Sequence, residues 1–146
     1  MTSALVRVIT LSVFALLLTA CSSKESPSQV YDRYTQQVIS GIDYKTDLSF
    51  YTERKQREID GQVPKYMQNM HMSRKAVEEM YVSEAKRLAK CKELTLLEEK
   101  QINPKVAFLL YAQKDTCGKK TIAQEKQKVR MFNEGGWKID EVEFVL

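Results

Sequence analysis

CKELTLLEEKQINPKVAFLLYAQKDTC (residues 91–117) decides the fold. The segments CKELTLLEEKQI and KVAFLLYAQKDTC both read as strands, and Asn103-Pro104 separates them. Proline has no N–H to give a ladder and restricts the residue before it, so the chain breaks there. A hairpin turning about residue 104 sets Cys91 opposite Cys117, each 13 residues from the centre. The second strand contains VAFLLYA (106–112), apolar on both faces, and is therefore central. Its second neighbour is a strand through about residues 119–132, which NEGG (133–136) turns into a fourth, WKIDEVEFVL (137–146). A two-residue turn at Glu134-Gly135 would pair Lys126 with Glu143, Lys128 with Glu141 and Phe132 with Trp137. Those are ordinary cross-strand pairs, so the basic stripe 126–130 needs no lipid headgroup to explain it.

Upstream of residue 91 the apolar period is helical. Ser26-Pro27 suits a helix start, and Tyr31, Tyr34 and Val38 share one face before Gly41. DLSFYTERKQREID (47–60) reads as a weaker second helix closed by Gly61. Val63, Tyr66, Met67 and Met70 form a short amphipathic stretch, in which the methionines read as core filler. Ser73 opens the strongest helix, with Val77, Met80, Tyr81, Ala85 and Leu88 facing inward. Helices first and an antiparallel meander after predict an α+β fold, the helices packed on one face of a curved four-stranded sheet.

The head of the chain is a different kind of segment. MTSALVR is a cationic leader and VITLSVFALLL (8–18) an apolar run about half the length needed to span a bilayer. That pattern fits an export signal. Leu18-Thr19-Ala20-Cys21 then resembles the lipobox of bacterial lipoproteins. The resemblance implies cleavage before Cys21, a diacylglycerol on its sulfur and usually a further acyl chain on its amine, giving a stable membrane anchor. Ser22, where enteric-type lipoproteins kept in the inner membrane tend to carry aspartate, leans the expectation toward the outer membrane, facing the periplasm. The expected organisation is a signal peptide over 1–20, the lipidated cysteine and a polar tether over 21–26, and one domain over 27–146.

Lipidation of Cys21 leaves Cys91 and Cys117, an even pair in an oxidising compartment, expected to form a structural disulfide. Their separation and lysine neighbours do not suit a redox motif, which would need C-x-x-C or an activated thiol. Of 23 basic residues only Arg7 lies in the first 20, so residues 21–146 carry 22 against 19 acids, a net +3. That charge, without aromatics interleaved among the cations, gives no case for nucleic acid. His71 is the only histidine, so no metal site and no cofactor are expected.

FYTERKQREI (50–59), EGGWKIDEVEF (134–144) and the order of elements resemble the cystatin-like, nuclear transport factor 2-like group of small lipoproteins. That group has helices on a curved four-stranded meander and includes enzymes, transport factors and lipoproteins without known activity. Its isomerases and cyclases place an Asp, His or Tyr inside a conical pocket. Asp140, beside Glu141 on the last strand, is expected at solvent and no Asp falls in an apolar setting, so no catalytic residue is assigned. The leading expectation is a non-catalytic, lipid-anchored binding or interaction module. The alternatives are a carrier of a small apolar ligand in the conical pocket and an isomerase- or cyclase-type enzyme. A central strand apolar on both faces also leaves one sheet face uncovered, to be sheltered by Lys126 and Arg130, a weak homodimer or a protein partner.

Overall fold

The computed structural model describes residues 24–118 and 125–145. Cys21, its lipobox and residues 119–124, which the sequence reading gave to the third strand, lie outside the described residues. Among the described residues four helices precede four strands: α1 (Pro27–Ser40), α2 (Tyr44–Ser49), α3 (Glu53–Met70), α4 (Arg74–Lys90), β1 (Lys92–Asn103), β2 (Val106–Asp115), β3 (Lys126–Asn133) and β4 (Trp137–Val145). The strands form one antiparallel sheet in the order β1-β2-β3-β4, a meander, with the helices on one face. The fold is α+β, as the periodicities require.

The helix starts follow the sequence signals. Ser26 caps α1, its hydroxyl accepting from Gln29 N while the Gln29 side chain accepts from Ser26 N. Gly41 ends it at φ 111°, a conformation that favours glycine. Ser73 caps α4, its hydroxyl accepting from Ala76 N. The middle helices differ from expectation. Asp43 caps α2 and Thr52 caps α3, so the single helix read over 47–60 is two helices with a break at Phe50–Thr52. Neither Gly61 nor Pro64 stops α3, which runs on to His71. His71 closes it in the left-handed conformation, φ 53°, its N–H donating to the Met67 carbonyl. Val63 is buried and Met67 half-buried, but Met70 is 45% exposed. Met70 is therefore not core filler, and Met67 is half-buried outside the core cluster.

The break between α2 and α3 is an attachment point. Ile139 N donates to the Phe50 carbonyl (2.8 Å) and Thr52 N to the Ile139 carbonyl (2.9 Å), a short parallel bridge onto the outer edge of β4. It places Tyr51 against the sheet. The core lies between this edge, α1 and the inner sheet face, where Leu109, Tyr111, Val129, Met131 and Ile139 are fully or almost fully buried.

Two registers depart from the expected ones. Partners in β1 and β2 shift at Gln101/Asn103 and again at Leu96/Glu98, so Lys92 faces Asp115. Between β3 and β4 the turn takes three residues, Glu134 to Gly136, and the ladder then shifts between Arg130 and Met131. Lys128 therefore faces Glu143, Arg130 faces Glu141, and Trp137 faces Asn133 in place of Phe132. Charge complementarity survives at Lys128 and Arg130, whereas Lys126, expected opposite Glu143, faces Val145. On the outer face Lys128 Nζ stands 4.7 Å from the Phe108 ring centroid and the Arg130 guanidinium 6.0 Å from that of Phe132. These two cations lie against rings of that face, Lys128 where Lys126 was expected, while Ile102 beside Phe108 stays 52% exposed.

The disulfide is present. Cys91 caps the end of α4, Cys117 follows β2, and the two Cα atoms are 5.0 Å apart. Thr116 N donates to the Cys91 carbonyl at 2.9 Å, continuing the ladder to the bridge.

Candidate functional site: a tyrosine-floored cleft

Helical spacing builds the walls of a cleft between the helices and the inner sheet face. α3 contributes Ile59, Val63 and Tyr66, and α4 contributes Val77, Met80, Tyr81 and Ala85, each set at a period near 3.6. Val38 of α1 and Leu94, Val142 and Phe144 of the sheet complete the apolar lining of a space of about 840 Å³. Tyr66, Leu88 and Phe144, exposed by 49%, 43% and 64%, rim the opening. Leu88 was expected to face the core. It faces the cleft, which is why a residue on the inward stripe of α4 is wet.

Tyrosines gather on the floor. Tyr34, Tyr44, Tyr51 and Tyr81 all line the space. The Tyr34 and Tyr51 hydroxyls are 2.6 Å apart, and either one can be the donor. Tyr44 meets Tyr81 edge-on with ring centroids 5.6 Å apart, and its hydroxyl donates to Asp60 at 3.3 Å. Tyr31 sits deeper, accepting from the Gln127 side chain and packing on Tyr111 at 5.3 Å. Burial pushes the hydroxyls of Tyr31, Tyr34, Tyr51 and Tyr81 well above the ordinary phenol value and that of Tyr44 up to about 12. These phenols stay neutral and able to donate at neutral pH.

Behind them lies a carboxyl that the sequence reading missed. Asp47 is 0% exposed, which overturns the expectation that no Asp falls in an apolar setting. Burial raises its pKa from the ordinary 3.8 to about 6, while the Tyr34 and Tyr81 hydroxyls pull the other way and Asp43 adds to the rise. Those hydroxyls are close enough to act on the charge, yet neither Asp47 oxygen accepts a hydrogen bond of ordinary length and angle. Asp47 does not itself line the cleft; the phenols stand between it and any occupant.

Asp140 is the other correction. Expected at solvent, it is 3% exposed, because the shift in the β3–β4 ladder falls at Asp140 and turns its carboxylate under α3. Thr52 Oγ1 donates to it at 2.9 Å, Arg54 at 3.0 and 2.8 Å, and Arg130 at 2.8 Å. Burial works to raise its pKa, but these hydrogen bonds outweigh burial and hold it below the ordinary carboxylate value. With all three donors engaged, the cluster is a clasp joining the start of α3 to β3 and β4. It lies away from the cleft lining.

Among the described residues no group of three His, Cys, Asp or Glu side chains could hold a metal ion, and no helix is long and apolar enough to cross a membrane. Two signals for the missed floor were in the sequence. Asp43 with Thr46 is an N-cap pattern that starts a helix before residue 47, and Tyr81 sits on the inward stripe of α4. Comparison of the chain with protein-family models, with curated proteins and with solved structures finds no match.

Proposed function

We propose that the protein is a lipid-anchored carrier of a small, mainly apolar molecule, held at the periplasmic face of an outer membrane. The observation that carries this reading is the cleft. Its volume of about 840 Å³ lies within the usual range for small-molecule sites, its walls are mainly apolar, and four phenols meet on its floor, with Glu58, Gln62, Glu84 and Lys92 also in the lining. A carrier reading fits better than an unspecified interaction module, because the cleft offers a bounded site with lining residues from the helices and the sheet. Isomerase- or cyclase-type catalysis would need a base on the cleft wall. The carboxyls that line the cleft, Glu58 and Glu84, are paired with Lys55 and Arg54 and with Arg87, which lower their pKa values, and Asp47, whose pKa is raised, is not in the lining.

Ethylnaphthalene, an apolar probe far smaller than the cleft, tests the site. It should bind the purified protein with a dissociation constant on the order of tens of micromolar, as expected for a dozen well-buried heavy atoms. Ala85→Trp, which fills the α4 wall, should weaken binding at least about tenfold while circular dichroism shows the protein still folded. Equal binding to both proteins would remove the cleft as the site.

The anchor rests on Leu18-Thr19-Ala20-Cys21 alone. Cells fed a palmitate analogue should label the wild-type chain, and Cys21→Ser should lose the label. Label retained in that variant would refute the anchor and leave the cleft untouched.

A further inference from the structure

Charge accounting around the cleft narrows the ligand. Three charged side chains reach its lining: Glu58 on α3, Glu84 on α4 and Lys92 at the start of β1. Both acids are already paired within their own helices. Glu58 accepts from Arg54 at 3.0 Å and from Lys55 at 2.6 Å, and Glu84 accepts from Arg87 Nε at 2.8 Å. Lys92 takes part in none of the ion pairs among the described residues. The lining therefore carries one uncompensated charge, and it is positive.

The sheet sets that charge at the mouth. Lys92 opens β1 and Phe144 lies near the end of β4, the two edge strands, which β2 and β3 hold roughly 14 Å apart. Both side chains line the cleft, and Lys92 Nζ stands 4.6 Å from the Phe144 ring centroid, so the contact is made across the width of the sheet. Leu94 and Val142, each two residues away on the same strand faces, continue the apolar lining from it. Lys92 is half-buried. Burial holds its pKa below the ordinary lysine value, against the pull of Glu125 and of Asp115 opposite it in the ladder.

The floor asks for no polar partner, since Tyr34 and Tyr51 bond each other and Tyr44 bonds Asp60. A ligand's apolar end can lie there, and its polar end belongs at the mouth. A neutral occupant would bury the Lys92 ammonium further and give it nothing in return, whereas an anion would supply its missing partner. We infer that the cleft takes a long-chain carboxylate, its chain between the helices and the inner sheet face and its carboxylate on Lys92. The inference rests on the carrier reading and deepens it. Seating the carboxylate breaks no ion pair of the fold. A cationic head would meet Lys92 unscreened and find Glu58 and Glu84 already engaged.

Decanoate, decanol and decyltrimethylammonium share a chain and differ in the charge of the head. Calorimetric titrations of the purified protein at about pH 7.5, where decanoate is ionised and lysine protonated, compare them. Decanoate should bind roughly tenfold more tightly than decanol, as a charge-assisted hydrogen bond allows, and the ammonium chain should bind more weakly than either. Lys92→Met, which keeps an unbranched apolar side chain, should bind decanoate no more tightly than decanol. Decanoate no tighter than decanol on the wild type, or an advantage that persists in Lys92→Met, would overturn the inference and leave the carrier reading standing. Tightest binding of the ammonium chain would overturn it as well, and turn the site toward Glu58 and Glu84. Binding of ethylnaphthalene but of none of the three chains would do the same, and failure of all four probes would overturn the carrier reading itself. The wild-type titrations decide the matter even if the variant does not fold.

Discussion

Asp47→Asn should raise the stability of the protein at about pH 7.5 by about 2–3 kcal/mol and change it little near pH 4. Burial holds the Asp47 carboxyl at a pKa of about 6, against the ordinary value of 3.8. Between about pH 4 and pH 6 the folded protein keeps a proton that the unfolded chain has released, so stability falls as pH rises through that window. Above it the folded state carries the full cost of a buried charge. Each pKa unit is worth about 1.4 kcal/mol, and the two-unit rise gives the upper end of the estimate. The amide must still find partners among Tyr34, Tyr51 and Tyr81, which takes some of the gain back. Thermal denaturation of both proteins across pH should show melting curves that diverge by roughly 10 °C at about pH 7.5 and converge in acid. Curves that coincide at both pH values would show that the carboxyl ionises without cost, and that the floor is wetter than its geometry implies. A group that destabilises the fold at neutral pH is also one whose place function explains better than stability does.

How far the sequence reveals the molecule depends on which signals are periodic. α1, α4 and the four strands were legible because each buries a stripe at a fixed period, and because Ser26, Ser73, Gly41 and Pro104 punctuate them. The registers were not, since a ladder shift at Leu96/Glu98 or Arg130/Met131 costs one residue and leaves no mark on the alternation of side chains. The boundary inside α2 and α3 failed for a related reason. Gly61 and Pro64 are local breakers, but Ile59 and Val63 pack the helix on either side of Gly61, and tertiary packing overrode propensity. At the site, Tyr34 and Tyr81 lie on stripes already read as inward. Tyr51 and Asp47 come from the break and the short helix before it, where six residues are too few to show a period. Half the floor was therefore visible in the sequence, and the buried Asp47 carboxyl was not.

Replacing both bridge cysteines, Cys91→Ser with Cys117→Ser, should cost about 3–4 kcal/mol while leaving the folded structure in place. The bond closes a loop of 26 residues, and in the chain-entropy model the stabilisation comes from the freedom that the cross-link denies the unfolded chain. The native hairpin does not need the bond for its geometry. The β1–β2 ladder reaches Lys92–Asp115, and the hydrogen bond from Thr116 N to the Cys91 carbonyl holds the two ends together beside the sulfurs. Circular dichroism at about 20 °C should therefore match the wild type, and ethylnaphthalene should still bind, since the lining residues Lys92 and Leu94 keep their strand. Urea denaturation should show a lower midpoint together with a steeper slope, because a chain freed of the cross-link exposes more surface on unfolding. The slope is the discriminating quantity. A lower midpoint with an unchanged slope, accompanied by altered dichroism, would locate the effect in the folded state and show that the bond shapes the hairpin it clasps. A midpoint within experimental error of the wild type would show that the β1–β2 ladder alone carries the end of the sheet.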